Sequence, residues 1–88
     1  MVKTYVIESE TEVAIELDQR CAYCWVRNRG ENDAYLSPRS GIVPAGEDVT
    51  FCGAGEGARV ALYGNKFYVL GQTTIEVHPQ SDATSPFI

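Results

Sequence analysis

Three cysteines and one histidine are the residues of this 88-residue chain most suited to chemistry. Cys21 and Cys24 have the C-x-x-C spacing, whereas Cys52 and His78 lie far away along the sequence. A structural zinc site usually takes its ligands from two closely spaced pairs, and here a second pair is missing. A redox pair requires a helix N-terminus that lowers the thiol pKa, and no helical pattern follows Cys24. We therefore predict buried thiols with no metal site and no cofactor, and zinc is the alternative.

Other catalytic patterns are equally sparse. The glycine-rich run 53–57, GAGEG, lacks the Lys-Ser/Thr pair and the helix that follow a phosphate-binding loop. A Ser-His-Asp triad would have to use His78, which we interpret as a surface residue at the end of the last strand, next to Pro79. The carboxylates form no evident pair for glycoside hydrolysis. The sequence thus favours a protein that is not an enzyme.

Composition and net charge further narrow the classes of function and partner. The net charge of −5 and the pI near 4.6 disfavour nucleic acid, because binding phosphates requires clustered Lys and Arg. We interpret the acidic stretch 8–18 and the basic stretch 20–39 as solvated strand faces, with a charged interface as the alternative. The odd cysteine count fits a reducing compartment, and we see no signal-peptide pattern and no apolar run of about 20 residues. We predict one β domain over residues 1–78, a flexible tail over 79–88, and neither nucleic acid nor membrane as a partner.

The elements that must position these residues are short strands. Residues 11–18 alternate in period two, with Val13, Ile15 and Leu17 on one face. Gly64-Asn65 predicts a two-residue hairpin in a type II′ turn, and Pro44-Ala45-Gly46 predicts a turn with proline at its second position. The fold class we predict is all-β, a small antiparallel sandwich or barrel of about seven or eight short strands. The strands are predicted over 2–8, 11–18, 21–29, 34–37, 48–52, 59–63, 66–70 and 73–78.

Strand 21–29 is the longest and carries large apolar groups on both sides. Cys24 and Val26 share one side, while Tyr23, Trp25 and Arg27 share the other. One side should fill the core, and the other should meet a second subunit or another partner, where Trp and Tyr often carry binding energy. Three roles are open for the out-of-phase aromatic residues: core packing, a protein interface or the stacking of sugars. The interaction residues we predict are Tyr23, Trp25, Arg27 and Tyr68.

The middle of the chain also resembles a known group of proteins. Residues 25–46, WVRNRGENDAYLSPRSGIVPAG, are followed by EDVTF and LYGNKFYVLGQTTIEV. The strand ending in V-x-N, the AYLS strand and the loop ending in IVPAG are similar to small β-sandwich proteins of tailed phages and prophages. The resemblance covers roughly residues 22–78 and has one extra residue in the IPAG element. It implies a decoration, fibre-base or tail-associated component of a virion, made in the bacterial host cytoplasm.

These observations lead to one functional hypothesis and two alternatives. We expect a non-enzymatic structural or interaction protein that forms homo-oligomers and contacts other virion proteins. The first alternative is a carbohydrate-binding β-sandwich that uses Trp25 and the tyrosines to bind a glycan. The second is a cupin-like or metal enzyme, which a single histidine disfavours.

Overall fold

The computed structural model of the chain describes residues 2–18 and 20–80. All the regular secondary structure of these residues is β-strand, which confirms the predicted all-β class. Eight strands form, one in each predicted segment, although several are shorter than predicted or begin earlier. They are β1 (Lys3–Val6), β2 (Val13–Glu16), β3 (Tyr23–Asn28), β4 (Ala34–Ser37), β5 (Thr50–Cys52), β6 (Gly57–Ala61), β7 (Lys66–Leu70) and β8 (Thr74–Gln80).

The strands form two antiparallel sheets of four strands each. Sheet A has the order β1-β8-β3-β6, and sheet B has the order β2-β7-β4-β5. Four strand pairs are nested along the chain: β4/β5 is innermost, followed by β3/β6, β2/β7 and, outermost, β1/β8. The chain is therefore arranged as one long hairpin that is rolled up on itself. This order is that of a jelly roll, an architecture of two Greek keys.

The core lies between the two sheets and follows the period-two pattern of the strands. Ile15 and Leu17 of the predicted inward set are buried, while Val13 is partly buried and packs against the core. Sheet B contributes Phe67, which is the largest side chain with no exposed surface. Sheet A contributes Cys24 and Val26 from β3, both with no exposed surface. The choice between the two sides of β3 is thereby settled: Tyr23, Trp25 and Arg27 point out of sheet A.

The predicted Gly64-Asn65 hairpin is wrong. Strands β6 and β7 belong to different sheets, so the connection between them crosses the sandwich. Leu62 is buried at the start of this connection, and Asn65 exchanges two hydrogen bonds with the backbone of Leu17, at 2.7 Å and 3.1 Å. Gly64 has no positive φ, so no type II′ turn forms. Burial of Leu62 and the contacts with Leu17 replace the local pairing that the dipeptide indicated.

The last strand is longer than predicted. β8 continues through Pro79 and Gln80, which we had assigned to the tail. Pro79 lies opposite Cys24 of β3, whereas the pairing with β1 ends where Lys3 lies opposite Val77. Proline is tolerated here because, among the described residues, β8 has a neighbouring strand on one side only at this point. The rest of the predicted tail, 81–88, lies outside the described residues.

Candidate functional site

The outer face of β3 is the best candidate for a functional surface. Tyr23, Trp25 and Arg27 stand on it in alternate positions, and each is partly exposed. These are residue types that often dominate the energy of protein interfaces. Three of the four residues that we predicted for interaction therefore lie together on the outer side of one sheet.

The neighbouring strands complete this surface. In the pairing register, Trp25 lies between Arg59 of β6 and His78 of β8. The guanidinium carbon of Arg59 lies 5.1 Å from the ring centroid of Tyr23, within the range of a cation–π contact. We name the set Tyr23, Trp25, Arg27, Arg59 and His78 the Trp25 face. It combines aromatic rings with cations in the middle of sheet A.

Glu76 holds the rim of the Trp25 face in place. One carboxylate oxygen lies 2.7 Å from Nε2 of His78, and the other accepts a hydrogen bond of 3.2 Å from Nε of Arg29. The hydrogen bond with His78, and then the one with Arg29, lowers the pKa of Glu76 below its usual value. The carboxylate therefore stays ionised at neutral pH and orients both neighbours.

Tyr68, the fourth residue that we predicted for interaction, lies on the opposite side of the molecule. It stands at an outward position of β7 in sheet B, near a row formed by Leu70, Tyr35 and Phe51 on three neighbouring strands. The rings of Tyr35 and Phe51 meet edge to face at 5.6 Å, and Phe51 is 53% exposed. The structure thus separates Tyr68 from the Trp25 face and places it beside a second, apolar surface.

Sequence reasoning missed Arg59, Glu76 and His78 as neighbours of Trp25. The alternation of apolar residues in β6 and β8 could have indicated that these three side chains stand on the outer side of their sheet. The order β8-β3-β6 could not be assigned in this way, because these strands are far apart along the chain. No short-range signal therefore connects the three residues with Trp25.

The cysteines and His78 lie in different parts of the fold. Cys24 and Cys52 face the core from opposite sheets, whereas His78 pairs with Trp25 on the outer side of sheet A. Cys21 precedes β3 and, like Cys24, packs against the core. Within residues 2–18 and 20–80, no three His, Cys, Asp or Glu side chains are grouped to hold a metal ion.

Burial makes both core thiols poor nucleophiles. It raises the pKa of Cys24 from 9.0 to about 12, with a further contribution from nearby Cys21. Burial also raises the pKa of Cys52, whose Sγ donates a 3.4 Å hydrogen bond to the carbonyl oxygen of Glu56. The thiolate is the reactive form, so a raised pKa removes reactivity at neutral pH.

A shallow depression of about 320 Å³ lies where the β2–β3 and β6–β7 connections meet. It is lined by Arg20, Cys21, Ala22, Leu62, Tyr63 and Gly64. A cysteine nucleophile usually works with an adjacent base, and none of these lining residues is a His, Asp or Glu. The depression therefore suggests no reaction.

Comparison with known proteins adds no relative. No family model, no curated protein and no solved structure matches the chain. The resemblance to phage proteins accordingly rests only on the residues quoted above. Across the described residues, no helix has the length and apolar character needed to cross a bilayer.

Proposed function

We propose that this protein is a non-enzymatic interaction module that binds protein partners through the Trp25 face. The observation that carries this proposal is the partly exposed row of Tyr23, Trp25 and Arg27 on the outer side of a sheet whose inner side already fills the core. Residues of these types, clustered at the centre of a flat surface, are typical of interface hot spots. A module of this size also gains stability when assembly buries more of its surface.

The setting that we propose is a virion, with the chain made in the bacterial cytoplasm and assembled with itself and with other virion proteins. This part of the proposal is supported by the resemblance of residues 22–78 to phage β-sandwich proteins. The jelly-roll order is compatible with it, because capsid proteins use this architecture, but lectins and cupins use it too. Architecture alone does not select a function.

The neighbouring genes provide the test. Capsid, portal or tail genes beside the coding sequence would support the virion setting, and their products become the candidate partners. We expect the tagged chain to retain at least one of these products, and we expect Trp25→Ala to lose it. Tyr68→Ala, on the opposite sheet, is the matched control and should retain it. Equal retention by wild type and Trp25→Ala would show that the Trp25 face is not the binding surface.

A glycan is the second candidate ligand, and one observation favours it. Trp25 lies between Arg59 and His78 on the outer side of sheet A, with Glu76 next to His78, so a ring for stacking stands beside hydrogen-bonding groups. A glycan array separates the two ligand classes. Binding of defined oligosaccharides by wild type, with loss in Trp25→Ala and not in Tyr68→Ala, would favour the glycan over a protein partner.

A further inference from the structure

The Trp25 face has the opposite charge to the rest of the molecule. Three of the seven Lys and Arg residues, namely Arg27, Arg29 and Arg59, stand at outward positions on or just beyond β3 and β6. Glu76 is the one carboxylate at an outward strand position of sheet A among the described residues, and it is bonded to Arg29 and His78. A basic aromatic surface therefore lies on a chain whose net charge is −5.

One end of the sandwich is strongly acidic. The β1–β2, β3–β4, β5–β6 and β7–β8 connections meet there, and hydrogen bonds join them in sequence. Gln72 donates to the carbonyl of Glu8 at 2.8 Å, Asn32 donates to the carbonyl of Gln72 at 2.7 Å, and Ala54 N–H donates to the carboxylate of Asp33 at 3.1 Å. These connections, residues 7–12, 29–33, 53–56 and 71–73, contain one Lys or Arg, which is Arg29 at the end of β3, and it is paired with Glu76. We name the exposed carboxylates at this end the acidic end: Glu8, Glu10, Glu31, Asp33 and Glu56.

The two surfaces complement each other, and neither complements itself. If two Trp25 faces met, Arg27 and Arg59 of both copies would be brought into one interface. If two acidic ends met, carboxylates would oppose carboxylates, and like charges at an interface are unfavourable. Contact of a face with an end brings the arginines of one copy to the five carboxylates of the other, which favours both affinity and the rate of association.

We propose that the Trp25 face of one copy binds the acidic end of a second copy. This inference rests on the proposed function, since it names the first occupant of the same face. The contact uses two different surfaces, so a pair of copies keeps one unused face and one unused end. Repetition of such a contact produces a ring if the rotation closes and a filament if it does not. The hydrogen bonds between the connections hold the acidic end in shape, which reduces the entropy lost on binding.

Two sets of variants test this contact. The face-blocked chain carries Trp25→Ala and Arg59→Glu, and the end-blocked chain carries Glu31→Lys and Glu56→Lys. Light scattering and sedimentation velocity at low salt give the size of each chain alone and of their mixture, after circular dichroism has established that each is folded. Wild type should assemble, and each blocked chain should be monomeric. The mixture should form one-to-one complexes that do not grow, because the intact end of one chain meets the intact face of the other.

A control variant outside the acidic end shows whether the position of the charge matters. Glu47→Lys makes half of the charge change of the end-blocked chain, at the other end of the molecule, and should leave assembly intact. High salt should dissolve the wild-type assembly, since the Debye length falls from about 30 Å at 0.01 M to about 3 Å at 1 M. A monomeric wild type at high micromolar concentration, assembly of the end-blocked chain alone, or no complex in the mixture would each overturn the proposal. Capture of neighbouring gene products would then still decide the proposed function by itself.

Discussion

The hydroxyl of Thr73 donates a 2.7 Å hydrogen bond to the side-chain oxygen of Asn28, although the two residues are 45 positions apart. The same oxygen accepts the backbone N–H of Gly30 at 3.0 Å. The amide nitrogen of Asn28 donates to the carbonyl oxygens of Asn32 and Cys52, at 2.7 Å and 3.1 Å. Asn28 has no exposed surface, and its two donors and two acceptor sites are all used. One side chain therefore fastens β3 to β5 of the opposite sheet and to two of the connections that meet at the acidic end.

Replacement of Asn28 should destabilise the protein strongly. Asn28→Leu leaves the hydroxyl of Thr73 and the carbonyl of Cys52 without this partner in the interior, and each such group costs about 1–3 kcal/mol. It also removes the partly buried hydrogen bonds with Gly30 and Asn32. We expect a loss of roughly 3 kcal/mol or more, measured by urea unfolding. Asn32→Ala is the control, because it removes one exposed hydrogen bond, to Gln72, and should cost less than about 1 kcal/mol. Equal losses in the two variants would contradict the assigned role of Asn28.

The role of Asn28 also shows what sequence could and could not predict. The V-x-N pattern was visible as Val26-Arg27-Asn28, and alternation predicted that Val26 and Asn28 share a side. Which side faces the core was ambiguous, because Trp25 and Tyr23 are as apolar as Val26 and Cys24. Burial of β3 against sheet B decides the matter, and that packing is a long-range property.

Strand existence was predictable, and strand order was not. Period-two alternation and turn residues are local, so all eight strands were found. Gly64-Asn65 failed because a local turn signal competed with burial of Leu62 and with hydrogen bonds to Leu17 across the sandwich. The prediction that placed Tyr68 with Trp25 likewise relied on a local signal. Both are outward aromatic residues, and only the topology places them on different sheets.

Acid should destabilise the protein partly through Glu76. The hydrogen bonds with His78 and Arg29 hold its folded pKa below the ordinary value of 4.5, so its contribution is complete above pH 4.5 and is lost as the pH falls through the folded pKa. Glu76→Gln should therefore flatten the fall of unfolding free energy below pH 4.5. Glu47→Gln, an exposed carboxylate elsewhere, is the control. If both variants follow the wild-type pH curve, the hydrogen bonds of Glu76 do not stabilise the fold.

The core thiols should resist modification until the protein unfolds. At pH 8 we expect iodoacetamide to label Cys24 and Cys52 only in denaturant, because both are buried and carry raised pKa values. Cys21, which is partly exposed, should react first in the native protein. Mass spectrometry of peptides after timed labelling assigns each site. Labelling of Cys24 at the rate of Cys21 in native buffer would show that the core opens readily.

Raised pH provides an independent check on Cys24. Its folded pKa of about 12 lies above the unfolded value of 9.0, so the stability that burial of the neutral thiol contributes is present below pH 9 and declines as the pH rises toward 12. Cys24→Ala should lose part of this decline, although it also creates a small cavity. Equal alkaline slopes of unfolding free energy for wild type and Cys24→Ala would contradict the raised pKa.

Purified protein should contain no zinc. Cys24 and Cys52 face the core, whereas His78 lies on the other side of sheet A, so these residues cannot converge on one ion in this fold. Elemental analysis after purification without chelator measures the metal content. Stoichiometric zinc that disappears in Cys24→Ser would contradict the predicted absence of a metal site.

Two turns with the same hydrogen bond and a positive φ at the third position, one occupied by alanine and one by glycine, allow a test of backbone strain. Gly46 N–H donates to the carbonyl of Val43 at 2.8 Å, with Pro44 second in the turn, as predicted, and Ala45 third at a φ of 68°. Glu56 N–H donates likewise to the carbonyl of Gly53 at 2.9 Å, and there Gly55 is third at a φ of 80°. A residue other than glycine in this left-handed region costs about 1–2 kcal/mol.

Ala45→Gly should therefore stabilise the protein, and Gly55→Ala should destabilise it. Relief of strain exceeds the extra freedom that glycine gives the unfolded chain, which is about 0.4–1 kcal/mol, so we expect a net change of roughly 0.5–1 kcal/mol in each direction. A Cβ at Gly55 meets no atom within 4 Å, so its effect is that of the backbone alone. Ala54→Gly, whose φ is not positive, adds only unfolded-state freedom and should destabilise. Thermal unfolding resolves these changes, since 1 kcal/mol shifts Tm by about 4–8 °C in a domain of this size. A lower Tm for Ala45→Gly would mean that the contacts of the loop outweigh the strain at its tip.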